Sequence, residues 1–217
     1  MTVSGAFPLV LTAPSGAGKT TLARALVKRG QSAVFALSAT TRPPRPGERN
    51  GEHYRFVDDA GFDRLERDGL LLEWARVHEH RYGTLREGVD AALLAGHTVV
   101  LDIDVQGARR IRSLFEDAVL VFILPPSADE LERRLRGRAG EGTADTAIRL
   151  RTALRELGAA GEFDYIIIND DLETTIGVLG SILVAERHRT DRRPGLAAQT
   201  AAMIERLRDM IEEKTAT

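Results

Sequence analysis

Phe7-Pro8-Leu9-Val10-Leu11-Thr12 runs directly into Ala13-Pro14-Ser15-Gly16-Ala17-Gly18-Lys19-Thr20. The first six residues form a short apolar run, which predicts a buried strand. The next eight come close to the phosphate-binding pattern G-x-x-x-x-G-K-[ST]. Glycines let successive backbone N–H groups turn inward around phosphate oxygens, and the helix that follows presents its positive end to the same point. Lys19 is then placed for the outer phosphates, and the Thr20 hydroxyl for a Mg²⁺ ion that travels with them. One position departs from the pattern: Ala13 stands where the first glycine belongs. Helix formers from Lys19 to Arg29, stopped by Gly30, supply the helix that the motif demands.

Working outward, three more apolar runs repeat the opening strand. They are Thr98–Ile103, Val119–Leu124 and Tyr165–Ile168. Helical stretches separate them: 86–94, 108–115, 144–157, and from about 172 to 189. Continuous apolar strands alternating with helices predict an α/β fold with a parallel sheet covered on both faces. A short strand is expected at Val34–Leu37. Asp102 and Asp104 end the 98–103 run, and ligands bind at the carboxyl ends of such strands. Asp102 is therefore expected beside the cradle, assisting Mg²⁺ through water. Ser127, three residues before Glu130, marks a helix start after Pro125-Pro126.

Residues 38–88 interrupt the alternation. Pro43, Pro44 and Pro46 keep the stretch Thr40–Glu48 out of helix or central strand. Short strands at 53–57 and 70–77 and a helix at 60–67 suggest an inserted subdomain. The expected organisation is one domain of 217 residues. Its core spans 5–37, 89–126 and 158–190, its insertion 38–88, its helical cover 127–157 and its tail 191–217. The tail carries apolar residues at Leu196, Ile204, Leu207 and Ile211, suited to packing on the core or on a second subunit.

Composition narrows the function classes. Lys plus Arg is 30 and Asp plus Glu is 32, a net charge of −2. That balance argues against a chain that coats nucleic acid or an anionic membrane. Cysteine is absent, which excludes disulfides, thiolate metal sites and a cysteine nucleophile. No apolar window is long enough to span a bilayer, and Met1–Pro8 has no basic leader. A soluble cytoplasmic protein is expected. Lys19, Lys28 and Lys214 are the lysines, so 27 of the basic residues are arginines. Arginine grips phosphate with a planar fork, but in so arginine-rich a chain only an arginine within a wider pattern is informative.

A cradle alone does not distinguish kinases, GTPases and ATPases. Asn169-Asp170-Asp171-Leu172 lacks the lysine and final aspartate of a guanine-reading N-K-x-D, which rejects a GTPase. The ordered segments Ser38–Glu48, Gly51–Val57, Leu72–Ala75, Tyr82–Thr84, Leu101–Gly107, Phe122–Pro126 and Ile168–Asp171 resemble those of the guanylate kinase family, over about residues 5 to 190. The resemblance implies a P-loop core with an acceptor subdomain at 38–88 and a lid at 127–157. It also implies Mg²⁺-dependent phosphoryl transfer from ATP to GMP or dGMP, giving ADP and the diphosphate, within purine nucleotide metabolism. Scaffold domains related to this family have lost the cradle, whereas Gly16, Gly18, Lys19 and Thr20 are intact here. Another small-molecule kinase on the same scaffold is the other alternative. Monomer and homo-oligomer are both left open.

The same resemblance assigns residues. Arg42, Arg45, Tyr54 and Tyr82 would hold the acceptor phosphate, with Glu48 orienting the arginines. Arg42 and Arg45, three apart on a proline-stiffened loop, make a preorganised double fork for a dianionic phosphate. Glu73 and Asp104 are the carboxylates for guanine, with Ser38 and Thr84 as hydroxyl partners and Asp102 nearby. Guanine presents two adjacent donors that a carboxylate can accept, whereas adenine offers an acceptor there and is repelled. Residues Ala13 to Thr20, with Arg134, Arg138 and Asn169, would hold ATP. Lys19, Arg42, Arg134, Arg138 and Arg149 would stabilise the transferring group, and Arg134 and Arg138 share one helix face. Besides Ala13, two positions depart from the family pattern: Arg81 stands where an aromatic is frequent, and Ala139 follows Arg138 in place of glycine.

Overall fold

A computed structural model describes residues 5–14, 16–30, 32–77, 79–136, 143–193 and 195–215, with the side chains of 143–146 excepted. Ser15, Arg138 and the glycine-rich break at 137–142 lie outside the described residues.

The central sheet has five strands: β1 (Pro8–Thr12), β2 (Ala33–Phe35), β7 (Thr98–Asp102), β8 (Val119–Leu124) and β9 (Tyr165–Ile168). Their order is β2-β7-β1-β8-β9 and every pairing is parallel. All of β1 is buried. Successive side chains on a strand point to opposite faces, so β1 serves two cores. Leu9 and Leu11 pack with Leu22 and Leu26 of α1 (Lys19–Lys28) and with Leu179 and Leu183 of α7 (Leu172–Arg187). Val10 packs on the other face with Val89 of α3 (Arg86–Leu94) and Ile111 of α4 (Val105–Leu114). This double covering is why the strands read as unbroken apolar runs.

A second sheet lies within residues 38–85. It contains β3 (Ser38–Thr40), β4 (Arg55–Phe56), β5 (Leu71–Val77) and β6 (His80–Leu85), in the order β4-β3-β6-β5. Helix α2 (Asp59–Arg67) places Phe62 and Leu65 in a small core with Ala39 and Leu71. The expected strand at 53–57 shrinks to two residues, and β3 and β6 were not anticipated. Helix α4 begins three residues earlier than expected, because Asp104 caps it by accepting the Gly107 N–H at 2.8 Å.

Helices α5 (Ala128–Arg136) and α6 (Thr143–Leu157) follow β8. The Glu130 N–H donates to the Ser127 hydroxyl at 3.1 Å, as the capping signal predicted. The tail forms α8 (Leu196–Thr215), for which the sequence left packing on the core and on a second subunit open. None of its residues is buried, and Ile204, Leu207 and Ile211 are exposed, so it does not pack on the core.

Candidate active site

The carboxyl ends of β1, β7 and β9 meet at one edge of the central sheet, as parallel α/β topology requires of a binding edge. The chain leaves β1 through Ala13 and Pro14, turns where the Ala17 N–H donates to the Pro14 carbonyl at 3.1 Å, and enters α1 at Lys19. Gly18 caps that helix at φ 89° and offers no side-chain acceptor, so the first amides of α1 are left for an anionic ligand. A Cβ on Gly18 would lie 2.9 Å from Asn169 Nδ2, so glycine is required for space as well as for φ. Ser32 is the non-glycine residue with positive φ among the described residues. Ala13 therefore sits in backbone that a residue with a Cβ adopts without strain.

Three side chains fix the floor of this cradle. Lys19 Nζ lies 3.0 Å from an Asp102 carboxylate oxygen and donates to the Ile103 carbonyl at 2.7 Å. The Thr20 hydroxyl donates to the other Asp102 oxygen. Asn169, at the end of β9, donates to the Ala17 carbonyl at 2.8 Å and accepts from Thr175. Arg134, held by Glu130 at 2.6 Å, reaches the Asn169 carbonyl at 3.4 Å. Hydrogen bonds from Arg133 and then Arg134 lower the Glu130 carboxyl to about 2.

Across a cleft of about 710 Å³ stands the second sheet. Its register brings Ser38 opposite Thr84 and Thr40 opposite Tyr82. Between β5 and β6 the register shifts: Leu71 pairs with Leu85 and Trp74 with Gly83, so Leu72 and Glu73 together face Thr84. Such a bulge re-aims a side chain. Here it buries Glu73, whose Oε1 accepts the Thr84 N–H at 3.1 Å and the Thr84 hydroxyl at 2.5 Å. Burial pushes the Glu73 carboxyl up, and the nearby Asp104 charge adds to it while the Thr84 bonds oppose. A Cβ on Gly107 would come within 2.9 Å of Glu73 Oε2, so the second oxygen sits against the start of α4.

Above this floor, Arg42 Nη2 meets both Glu48 oxygens at 2.9 Å, and Nη1 donates to the Pro43 carbonyl at 2.7 Å. Glu48 also accepts the Arg45 N–H at 2.8 Å. Burial opposes the Arg42 charge, but hydrogen bonds to Glu48 and Tyr82 more than offset it and hold the guanidinium above its ordinary value. For Glu48, burial acts upward, yet the Arg45 amide and then Arg42 leave it lowered. Arg42 also lies 5.6 Å from the Tyr54 ring centroid, and the Tyr54 and Tyr82 rings are 6.0 Å apart. Burial, then the Asp102 and Tyr82 charges, raise the Tyr54 hydroxyl.

Ala13, Pro14, Gly16, Gly18, Lys19, Thr20, Ser38, Tyr54, Glu73, Tyr82, Asp102, Asp104 and Arg149 all line the one cleft. Arg42, Glu48 and Thr84 adjoin it through the contacts above, and Arg134 and Asn169 close its P-loop end. The Arg45 side chain is exposed at its margin. Phe35, Val105 and Gln106 also line the cleft. Sequence reasoning missed them, because an apolar side chain at a strand end and a glutamine in a first helical turn carry no chemical signal of their own.

A metal fit follows from the donor set. Among the described residues no three His, Cys, Asp or Glu side chains cluster as a metal cage. Thr20 and Asp102 offer one hydroxyl and one carboxylate beside an anion cradle. That set suits Mg²⁺, which keeps waters and phosphate oxygens in most of its octahedral positions.

Two anion sites face each other across one water-accessible space, one of backbone amides and lysine, the other of arginine and tyrosine. This arrangement is that of a P-loop phosphotransferase that brings two phosphorylated substrates face to face. A guanylate kinase family model matches residues 6–186. The guanylate kinase of Rhodospirillum rubrum is 51% identical over 190 residues, 87% of each chain. That of Gluconobacter oxydans is 49% identical over 195 residues, 89% of this chain and 94% of its own. The crystal structure of guanylate kinase from Anaplasma phagocytophilum aligns with a TM-score of 0.77 at 35% identity, covering 92% of this chain and 95% of that one. The chain belongs to the guanylate kinase family and has that family's phosphotransferase activity. Among the described residues no helix is long and apolar enough to cross a membrane.

Proposed function

We propose that the cleft transfers the γ-phosphoryl group of ATP to GMP or dGMP, giving ADP and the nucleoside diphosphate. The observation that carries this reading is the buried Glu73–Thr84 pair on the floor of the space that also holds Lys19. A carboxylate accepts from guanine N1–H and its exocyclic amine together. A site built to hydrogen-bond its substrate rejects a mispaired analogue by about 10⁴-fold. Asp104 is the second carboxylate within reach of the base, and the Ser38 and Thr84 hydroxyls serve the base oxygen.

Residues 38–88 act as the acceptor subdomain and 127–157 as a lid. Arg42, Tyr54 and Tyr82 hold the acceptor phosphate, with Arg45 joining from the margin and Glu48 keeping the forks aligned. The Ala13–Thr20 loop and Asn169 hold ATP. Thr20, with Asp102 through water, would hold Mg²⁺, which would supply neutralising charge to the nucleotide phosphates. An acceptor phosphate oxygen forms a bond to the γ-phosphorus as the bond from that phosphorus to the β–γ bridging oxygen breaks, and ADP takes the electron pair. No general base is needed, since the acceptor already carries close to two negative charges. The chain's task is alignment and charge stabilisation, by Lys19 on the bridging side and by Arg42, Arg134, Arg138 and Arg149 around the transferred group. Closure of lid and acceptor subdomain excludes the water that would otherwise take the phosphoryl group.

A coupled assay of ADP release with GMP, dGMP, AMP, CMP and UMP tests the reading. Highest turnover is expected with GMP and dGMP. Highest turnover with AMP would overturn it.

A further inference from the structure

Arg81 lies on β6 immediately before Tyr82. Neighbouring residues of a strand point to opposite faces, so while Tyr82 lines the cleft, Arg81 points to the back of the acceptor sheet. There it is buried, its guanidinium 4.6 Å over the Phe62 ring. One nitrogen donates to Asp63 at 2.6 Å, and the other to the Asp59 carboxylate at 2.8 Å and the Asp59 carbonyl at 2.9 Å. Both aspartates belong to α2, one turn apart, so the fork grips the first turn of that helix. The backbone of Arg81 is tied as well. Its N–H donates to the Thr41 hydroxyl at 2.9 Å, and its carbonyl accepts the Thr41 N–H at 3.1 Å. Thr41 is the residue before Arg42. The one position thus joins α2, the strand that carries Tyr82 and the loop that carries Arg42.

The ion pairs alone do not account for this arrangement. The Asp59 and Asp63 side chains are 83% and 64% exposed, and ion pairs to solvent-exposed carboxylates contribute little. Arg81 Nε is buried without a hydrogen-bond partner, which is a cost. What the contacts do deliver is a fixed frame: the backbone bonds to Thr41 set Tyr82 beside Arg42, whose side chains are themselves hydrogen-bonded, and the side-chain fork clamps that pair of segments against α2.

We propose that Arg81 is a positioning residue for the acceptor phosphate, holding Tyr82 and Arg42 at the spacing that a nucleoside monophosphate needs without touching it. This rests on the acceptor site described under the proposed function. A misplacement of about 1 Å can cost up to about 10²-fold in rate or binding, and Arg81 acts on only one of the two anion sites. Its removal therefore changes the acceptor constants and spares those of the donor.

Steady-state kinetics on the full chain tests this with three variants: Arg81→Met, the double variant Asp59→Asn with Asp63→Asn, and Tyr82→Phe. Arg81→Met is expected to raise the KM for GMP about tenfold, with kcat at saturating GMP and the KM for ATP within about twofold of the parent. The double variant, which keeps Arg81 and alters only exposed carboxylates, is expected to move the same constant in the same direction. It carries the test alone should Arg81→Met not fold. A rise in the KM for GMP with Tyr82→Phe but not with the other variants overturns the positioning role and leaves the acceptor site standing. So does a fall in kcat with both KM values unchanged, the mark of a smaller folded fraction. An unchanged KM for GMP in Tyr82→Phe overturns the place of Tyr82 in the acceptor site, and the positioning role with it.

Discussion

At the donor end of the cleft, recognition is built into backbone. Gly18 turns the chain at positive φ, α1 opens with uncapped amides, and the cradle hangs from β1, a strand buried along its whole length. At the acceptor end, recognition is built from side chains. Arg42 leans on Glu48 in the loop after β3, Tyr82 leans on Arg42, and Glu73 on Thr84, around a sheet of strands of two to seven residues with one small core beneath it. The difference follows from the ligands. A polyphosphate is met by many amides and one lysine, whereas a base and a single phosphate must be read group by group. Variants at the two ends should therefore fail in different ways.

The largest effect is expected from Lys19→Met. Lys19 is the side-chain cation that the cradle adds to its amides, and it already sits 3.0 Å from Asp102 in the resting site. Its loss should lower kcat about 10³-fold while the KM for GMP stays close to that of the parent, because the acceptor end is untouched. Single-turnover measurement of ADP formation reads this directly. A large rise in the KM for GMP would mean that the two ends are not separable.

Arg42→Ala should do the reverse. Truncating one member of a hydrogen-bonded charge pair also strands Glu48, and kcat/KM for GMP should fall about 10²-fold. ATP binding, followed by calorimetric titration, should be nearly unchanged. Equal losses for both nucleotides would contradict the division of labour.

The two ends also differed in how far they could be read from sequence. Glycine spacing encodes a backbone cradle almost completely, and doubly covered strands announce themselves as apolar runs, so the core and the donor residues were visible. The acceptor residues were visible by motif, but their support was not. His80–Leu85 opens with two polar residues and is broken by Gly83, so it lacks the alternation that marks a strand, and its pairing with β3 is set more than forty residues away at Ser38–Thr40. Glu73 is buried by a bulge, which is a property of two strands in register and of neither alone. Arg81 looks like any other arginine until Asp59, Asp63 and Phe62 are folded around it.

Glu73 supplies a smaller effect, with a sign that separates function from stability. Its carboxyl is held above the ordinary glutamate value, chiefly by burial and also by Asp104. Between the ordinary and the raised value the folded chain binds more protons than the unfolded chain. Stability therefore falls as pH rises through that window and stays lower above it. Glu73→Gln removes the titration while keeping an oxygen for Thr84. The variant should melt higher than the parent at neutral pH, and the gap should close in acid, below the ordinary glutamate value. Its KM for GMP should rise about 30-fold, since an amide N–H would face a guanine donor. A variant that melts lower than the parent at neutral pH would show that the Thr84 bonds need the charge.

The smallest effect is expected from removing residues 194–217. Neither end of the cleft draws on α8. No residue of that helix is buried, and its link to the preceding turn is the Leu196 N–H on the Arg193 carbonyl at 3.1 Å. An element that buries no apolar side chain contributes little to a cooperative unfolding transition, however long it is. The truncated chain should keep its kcat and both KM values, and its thermal midpoint should stay within about 2 °C of the parent. A drop well beyond that would mean that α8 is covered in solution. The comparison between donor and acceptor ends would then need a third region, one whose packing lies outside the single chain.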